Sequence, residues 1–179
     1  MTWPAPLLQP SIIHTFGALS AGLESAACGA FRVASCSSTT YPAANTALYF
    51  PFWLASPIVA VQLWAFNGAT ASGNIDLGLY AADGTRLVSI GSTAQATTSD
   101  LQSFDITDTE LGPGLFYLAV AMDNTTGTLF RANMSAALGR SIGAFEQTSA
   151  FALPATATFA TFTPTGFVPV IGLATTTVY

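Results

Sequence analysis

The run PIVAVQLWAFNG, residues 57–68, sets Val59, Val61, Leu63 and Ala65 on one side of an extended chain and Ile58, Ala60, Gln62, Trp64 and Phe66 on the other. Successive side chains of a strand point to opposite faces, so a run that is apolar on both sides reads as a strand buried on both faces. Asn67-Gly68 then supplies a turn. Downstream, Ile75, Leu77 and Leu79 alternate with Asp76, Gly78 and Tyr80, and Asp83-Gly84 offers the left-handed residues of a tight hairpin before Leu87, Ser89 and Gly91. A Ser/Thr/Ala-rich loop leads to LQSFDIT from Leu101, a turn cluster at 108–114, the strand LFYLAVAMDN from Leu115, a turn at 124–127 and the strand TLFRAN. Strands spaced ~8–15 residues apart, joined by Gly, Pro and Asn turns and free of helical period, predict an all-β fold, an antiparallel β-sandwich or jelly roll.

The two ends are less regular. Residues 1–45 are rich in Gly, Ala, Ser and Pro and read as an irregular N-terminal arm wrapping a neighbour or its own domain, with a short helix allowed over 18–24. Residues 46–179 are assigned to the sandwich domain, and 179 residues suit a single domain. Within it, residues 134–147 are open between a loop and a short helix. Beyond Glu146 no charged residue occurs, yet Phe, Val, Ile and Leu keep alternating with small or hydroxyl residues to Tyr179, the pattern of closing strands. On this reading the arm serves assembly, and its removal leaves the sandwich folded.

Charged residues make up only 7% of the chain, against ~25% for an ordinary soluble domain, and there is no lysine. Charge keeps a lone monomer dispersed, so this shortfall predicts that neighbouring subunits cover much of the exterior; a monomer coated in Thr, Ser, Asn and Gln is the other reading. A net charge of −5, with four arginines and no basic cluster, lacks the electrostatic footprint of nucleic-acid binding. The opening MTWPAPLLQPSIIHTFG holds no Lys or Arg and is broken by Pro4, Pro6 and Pro10, unlike a signal peptide, so the chain is expected to begin life in a cytoplasm. Residues 47–66 carry no charge over ~20 residues, the length of a bilayer crossing. Pro51, Pro57 and Gln62, and the absence of flanking Lys or Arg, favour two buried strands instead, and no membrane span is expected.

Two segments, DLGLYAADGTRLVSIGS from Asp76 and FDITDTELGPGLFYLAVA from Phe104, resemble a recurring β-sandwich module of bacteriophage tail, spike and head-fibre proteins, and of some bacterial carbohydrate-binding and pre-peptidase-C-like domains. The resemblance covers about residues 56–132 and rests on Gly78-Leu79-Tyr80 before the Asp83-Gly84 turn and on Leu111-Gly112-Pro113-Gly114 before Leu115-Phe116-Tyr117-Leu118. It implies an extracellular or virion-surface module, often oligomeric and sometimes sugar-binding. Both pieces are architectural, since a tight turn entering an aromatic-rich strand is a demand of the fold. The chain has no collagen-like, heptad or β-helical shaft of the kind longer phage fibres carry.

Candidate chemistry is sparse. Gly139-Arg140-Ser141-Ile142-Gly143 matches the G-x-S-x-G nucleophile elbow, but no βαβ pattern surrounds it, and the sole histidine, His14, precedes the serine where that family places it last. No enzymatic activity is expected. Asp105, Asp108 and Glu110, close together in sequence, are the calcium candidates, although the dense D-x-D-x-D-G spacing is missing and carboxylates in turns commonly cap the backbone. Cys28 and Cys36 can close a small loop in an oxidising exterior and stay thiols in a cytoplasm; with one histidine they make no zinc site. Trp53, Tyr80 and Tyr117 are the glycan-binding candidates, flat rings able to cover a sugar face while a polar edge bonds its hydroxyls. Trp64, sharing a face with Ile58 and Phe66, is expected in the core. The sequons at Asn124 and Asn133 accept glycan only in a eukaryotic secretory path.

Together these features predict a bacteriophage virion structural protein, a capsid decoration, head-spike or tail component located in the virion. It would act through homo-oligomeric assembly, a trimer favoured, with other virion proteins as partners and no nucleic acid. The alternative is a carbohydrate-binding module that attaches a particle or an enzyme to host surface glycan.

Overall fold

The computed structural model describes residues 12–14, 36–133, 143–161 and 166–175. Every regular element among them is a strand: β1 (Ile12–His14), β2 (Ser37–Thr40), β3 (Thr46–Leu54), β4 (Ile58–Phe66), β5 (Asn74–Ala81), β6 (Arg86–Ser89), β7 (Thr93–Ala94), β8 (Leu101–Leu111), β9 (Gly114–Met122), β10 (Thr128–Asn133), β11 (Phe145–Gln147), β12 (Ala160–Thr161), β13 (Phe167–Pro169) and β14 (Ile171–Ala174). The strands pair antiparallel into a sandwich. One layer runs β12-β11-β3-β9-β5-β6, with β7 also beside β5. The other is made of β1-β14-β4-β8 and β13-β10-β2. Val170 alone separates β13 from β14; its N–H donates to the Phe130 carbonyl at 2.8 Å and its carbonyl accepts from Phe66 N at 2.9 Å. One extended segment therefore pairs first with β10 and then with β4, and the two short sheets act as one bent layer.

Alternation decides what fills the space between layers. Leu48, Phe50, Phe52 and Leu54 of β3, Ile75, Leu77 and Leu79 of β5, and Leu118, Val120 and Met122 of β9 all enter the central core, where Leu63, Ile171 and Leu173 meet them from the second layer. Burying each such side chain stabilises by ~1.5–3 kcal/mol relative to leaving it in water. Pro51 interrupts none of this. It lies on β3 opposite Tyr117 of β9 and beyond Tyr49, the last residue paired with β11, so only one neighbouring strand flanks it.

The expected faces of β4 are corrected by an irregularity. Ala60 pairs with Thr109 and Gln62 with Asp105, so one intervening residue on β4 faces three on β8. The alternation resets there. Ile58 and Ala60 face the central core together with Leu63 and Ala65, whereas Trp64 and Phe66 turn to a third, outer cluster with Val170 and Phe130. Trp64 is buried as expected, but Ile58 is not on its face. Such a slip cannot be read from a regular period of two. The turn expected at 108–114 shrinks to Gly112-Pro113, because β8 continues to Leu111. The charge-free stretch 47–66 forms β3 and β4, and no helix among the described residues is long and apolar enough to cross a membrane.

The sandwich also reaches into the segment assigned to the arm. β1 pairs with β14, and β2 with β10. Tyr41 is fully buried; its ring meets Phe167 edge-on at 5.6 Å, and its hydroxyl lies 2.8 Å from both the Thr46 and Val120 carbonyls, to which it donates. Residues 18–24 and 134–142 lie outside the described residues, and 145–147 is strand β11. Tyr41→Phe, which removes only that hydroxyl, is expected to lower stability by about 1–2 kcal/mol in urea denaturation. Deleting residues 1–45, which also strips β2 from β10, is expected to cost far more and to abolish cooperative unfolding.

Candidate functional site

Side chains of candidate functional types gather on the outer face of the larger layer. Its floor is made of small residues, Ala47, Ala119, Ala121 and Gly78, among which Tyr49, Tyr80 and Tyr117 stand. A strap, residues 148–159, lies across them and contributes Ala150, Leu153, Ala157 and Phe159. Leu153 lies directly over Gly78: a Cβ there would come within 2.9 Å of Leu153 Cδ1 and 3.2 Å of the Val88 carbonyl oxygen. A hairpin forms at Asp83-Gly84 as predicted, but Gly84 alone is left-handed, at φ 89°, and Asp83 instead caps the turn, its Oδ1 accepting from Thr85 N at 2.9 Å. It anchors the strap's far end, since Gly84 O accepts from Ala157 N at 2.8 Å and Arg86 N donates to Ala155 O at 2.9 Å.

Beneath the strap the aromatic rings pack on one another. Tyr49 meets Tyr80 at 5.2 Å and Phe159 at 5.4 Å, both edge-on, and Tyr117 meets Phe159 at 4.5 Å. Tyr80 Oη donates to Pro154 O at 2.6 Å, and Tyr49 Oη to Gln147 Oε1 at 3.0 Å. Burial pushes the Tyr49 hydroxyl up to about 12 and that of Tyr80 higher still, so both stay neutral donors. This corrects the expectation for two glycan candidates. Tyr80 and Tyr117 are buried and their rings are engaged within the protein, because the strap closes over the face they occupy. Trp53, further along β3 and opposite Leu115, is 67% exposed.

The three calcium candidates do not converge. Asp105, Asp108 and Glu110 lie along strand β8 rather than in a turn; Asp105 pairs with Gln62 and Glu110 with Val59 of β4, so at ~3.3 Å per residue the outer two backbone positions stand ~10 Å apart. Asp105 Oδ1 instead accepts from Gln62 Nε2 at 2.6 Å. Among the described residues no group of three or more His, Cys, Asp or Glu side chains is placed to hold a metal. His14 sits on β1 opposite Gly172. Cys36 is a half-buried free thiol whose pKa burial raises. Cys28, Ser141 and most of the G-x-S-x-G segment lie outside the described residues.

A second polar feature was not apparent from sequence. At one end of the sandwich Asn67, Gln95 and Thr128 are buried. Gln95 Nε2 donates to Asn67 Oδ1 at 2.9 Å and to the Thr128 carbonyl at 2.8 Å, while its Oε1 accepts from Ser72 N at 3.0 Å. Asn67 Nδ2 donates to Thr97 Oγ1 at 3.0 Å and to Gln102 Oε1 at 2.7 Å. Gln102 Nε2 closes the set on Ala94 O at 3.0 Å. Every amide donor and acceptor used is neutral and satisfied, which makes this a structural cross-link between layers. Only the Ser/Thr/Ala-rich character of 92–99 hinted at it, and that composition normally marks an exposed loop.

Compared with protein-family models, with curated proteins and with solved structures, the chain matches none. The glutamine network generates one prediction. Gln95→Leu strands Asn67 Oδ1 and Ser72 N at once and leaves the Thr128 carbonyl with only its Gly68 N donor, and is expected to destabilise the fold by about 2 kcal/mol, read from the urea midpoint at unchanged m-value.

Proposed function

We propose that this chain is a structural subunit of a bacteriophage virion, a capsid decoration, head-spike or tail component that works by assembly. The observation carrying this reading is a β-sandwich with almost no charge: 7% charged residues and no lysine. Ordering a lysine in a contact costs up to ~2 kcal/mol of side-chain entropy, and burying an ion adds a desolvation cost. Interfaces are depleted in Lys, Glu and Asp for these reasons. A surface with few such groups suits permanent contact with neighbours.

The apolar excess itself is largely internal. It fills the central core and the two outer clusters, and among the described residues only Trp53, Val59 and Leu87 are large hydrophobics left exposed. Assembly on this reading therefore uses uncharged, hydroxyl-rich faces rather than broad apolar ones. Edge-to-edge strand pairing is disfavoured at β8, which among the described residues pairs only with β4 and carries Asp105, Asp108 and Glu110 together with the irregularity facing Val61. Closed homo-oligomers fit best, a trimer first, with other virion proteins as neighbours. The 67% exposure of Trp53 supports the second reading, a carbohydrate-binding module for host surface glycan.

Light scattering of the purified chain from micromolar to sub-micromolar concentration is expected to give a closed oligomer; a monomer throughout would falsify the assembly reading. Glycan-array binding that is lost in Trp53→Ala would favour the second reading. The triple variant Asp105→Thr, Asp108→Thr, Glu110→Thr, with its edge undefended, is expected to form larger, polydisperse species in the same measurement.

A further inference from the structure

Among the described residues Asp76 is the one charged side chain that is fully buried. It stands on the outer face of β5, under the strap. Its Oδ2 accepts from Leu153 N at 2.9 Å, and the Arg86 guanidinium donates to the Leu153 carbonyl, so one strap residue is gripped at both backbone groups by side chains of opposite charge. The other oxygen, Oδ1, is buried without a hydrogen-bond partner. Arg86 faces the carboxyl from β6, and the Ser89 hydroxyl and Gly91 N–H lie close enough to favour its charged form, yet none bonds Oδ1. From β5 itself comes Tyr80, whose hydroxyl is committed to Pro154 O.

A carboxylate held this way keeps much of the cost of leaving water, because one oxygen has no direct hydrogen bond to replace its hydration. The neutral acid retains the Oδ2 acceptor for Leu153 and sheds most of that cost. Lifting the strap readmits water to the carboxyl and removes the difference. We propose that the strap over the tyrosine face is an acid-tightened cover, its seating linked to uptake of one proton by Asp76. Burial outweighs Arg86 and the nearby donors in setting the direction, and holds the carboxyl above the ordinary range while the strap is closed. The closed state then binds the proton more tightly than the open one. Closure strengthens as pH falls through the closed-state pKa and is complete below the ordinary aspartate value of ~3.9; the contribution is lost as pH rises above the closed-state pKa.

The test uses the full chain and does not depend on the assembly reading. Hydrogen exchange at Leu153 and Ala157, corrected for intrinsic rates, is followed between about pH 7 and about pH 4 alongside the carboxyl-carbon NMR titration of Asp76. Protection is expected to rise toward acid, tenfold for each unit separating the closed and open pKa values, with the rise beginning at the Asp76 midpoint. In Asp76→Asn, which keeps an acceptor for Leu153 but cannot titrate, protection is expected to be flat over the same range. Protection in the natural chain that is flat or falls toward acid, or an Asp76 midpoint at or below the ordinary value, overturns the proposal. These two wild-type readouts decide it even if the variant folds poorly.

Discussion

Strand β9 carries the constraint on which the remaining structure depends. It is paired with β3 from Gly114 to Met122 and with β5 from Phe116 to Met122, and both of its faces are covered. A strand in that position demands two different coverings. Leu118, Val120 and Met122 need a second layer, which β4, β14 and their neighbours provide. Tyr117, Ala119 and Ala121 need a thin cover, since alanines leave little depth and the tyrosine ring stands above them; the strap provides it. A sandwich with one apolar face per sheet would need only the first, and would present a polar exterior where this chain presents Tyr and Ala.

Covering both faces brings polar groups inside, and the chain meets most of that demand with neutral partners. Tyr41, the Asn67–Gln95–Gln102 network and the Tyr80–Pro154 bond hold backbone and side-chain groups without ions. Neutral hydrogen bonds avoid the larger desolvation cost of buried charge. Asp76 is the departure, and it sits where the strap meets the sheet. The cost of a buried carboxylate is thus concentrated at a contact between two separable pieces of structure, where a change in protonation has something to act on.

The surface follows the same economy of charge. Acidic groups recur on β8, the long strand at the rim of the second layer, where an exposed backbone edge would otherwise accept strands from other molecules. Elsewhere most exposed positions among the described residues are Ser, Thr, Ala and Gly. Short side chains of this kind cost little to order. Trp53, Val59 and Leu87 are the exposed large hydrophobics among the described residues, and Trp53 is an exposed ring at the end of a strand whose other outward aromatic, Tyr49, is buried.

What the sequence determined by itself was the class of fold and its local punctuation. Period-two alternation in β5 and β9 and the Asp83-Gly84 hairpin are short-range properties, set by side-chain direction on a strand and by the backbone freedom of glycine. Tertiary structure decided the rest. The β4–β8 slip reversed the faces that alternation assigned, because pairing irregularities arise between strands and leave no mark in either one alone. It decided that Asp105, Asp108 and Glu110 lie along a strand rather than in a loop, that Tyr41 belongs to the core, and that Tyr80 and Tyr117 are covered while Trp53 is not. In each case the deciding contact joins residues far apart in the chain. Aromatic residues on a strand look alike in sequence whether a strap from another part of the chain closes over them or solvent does.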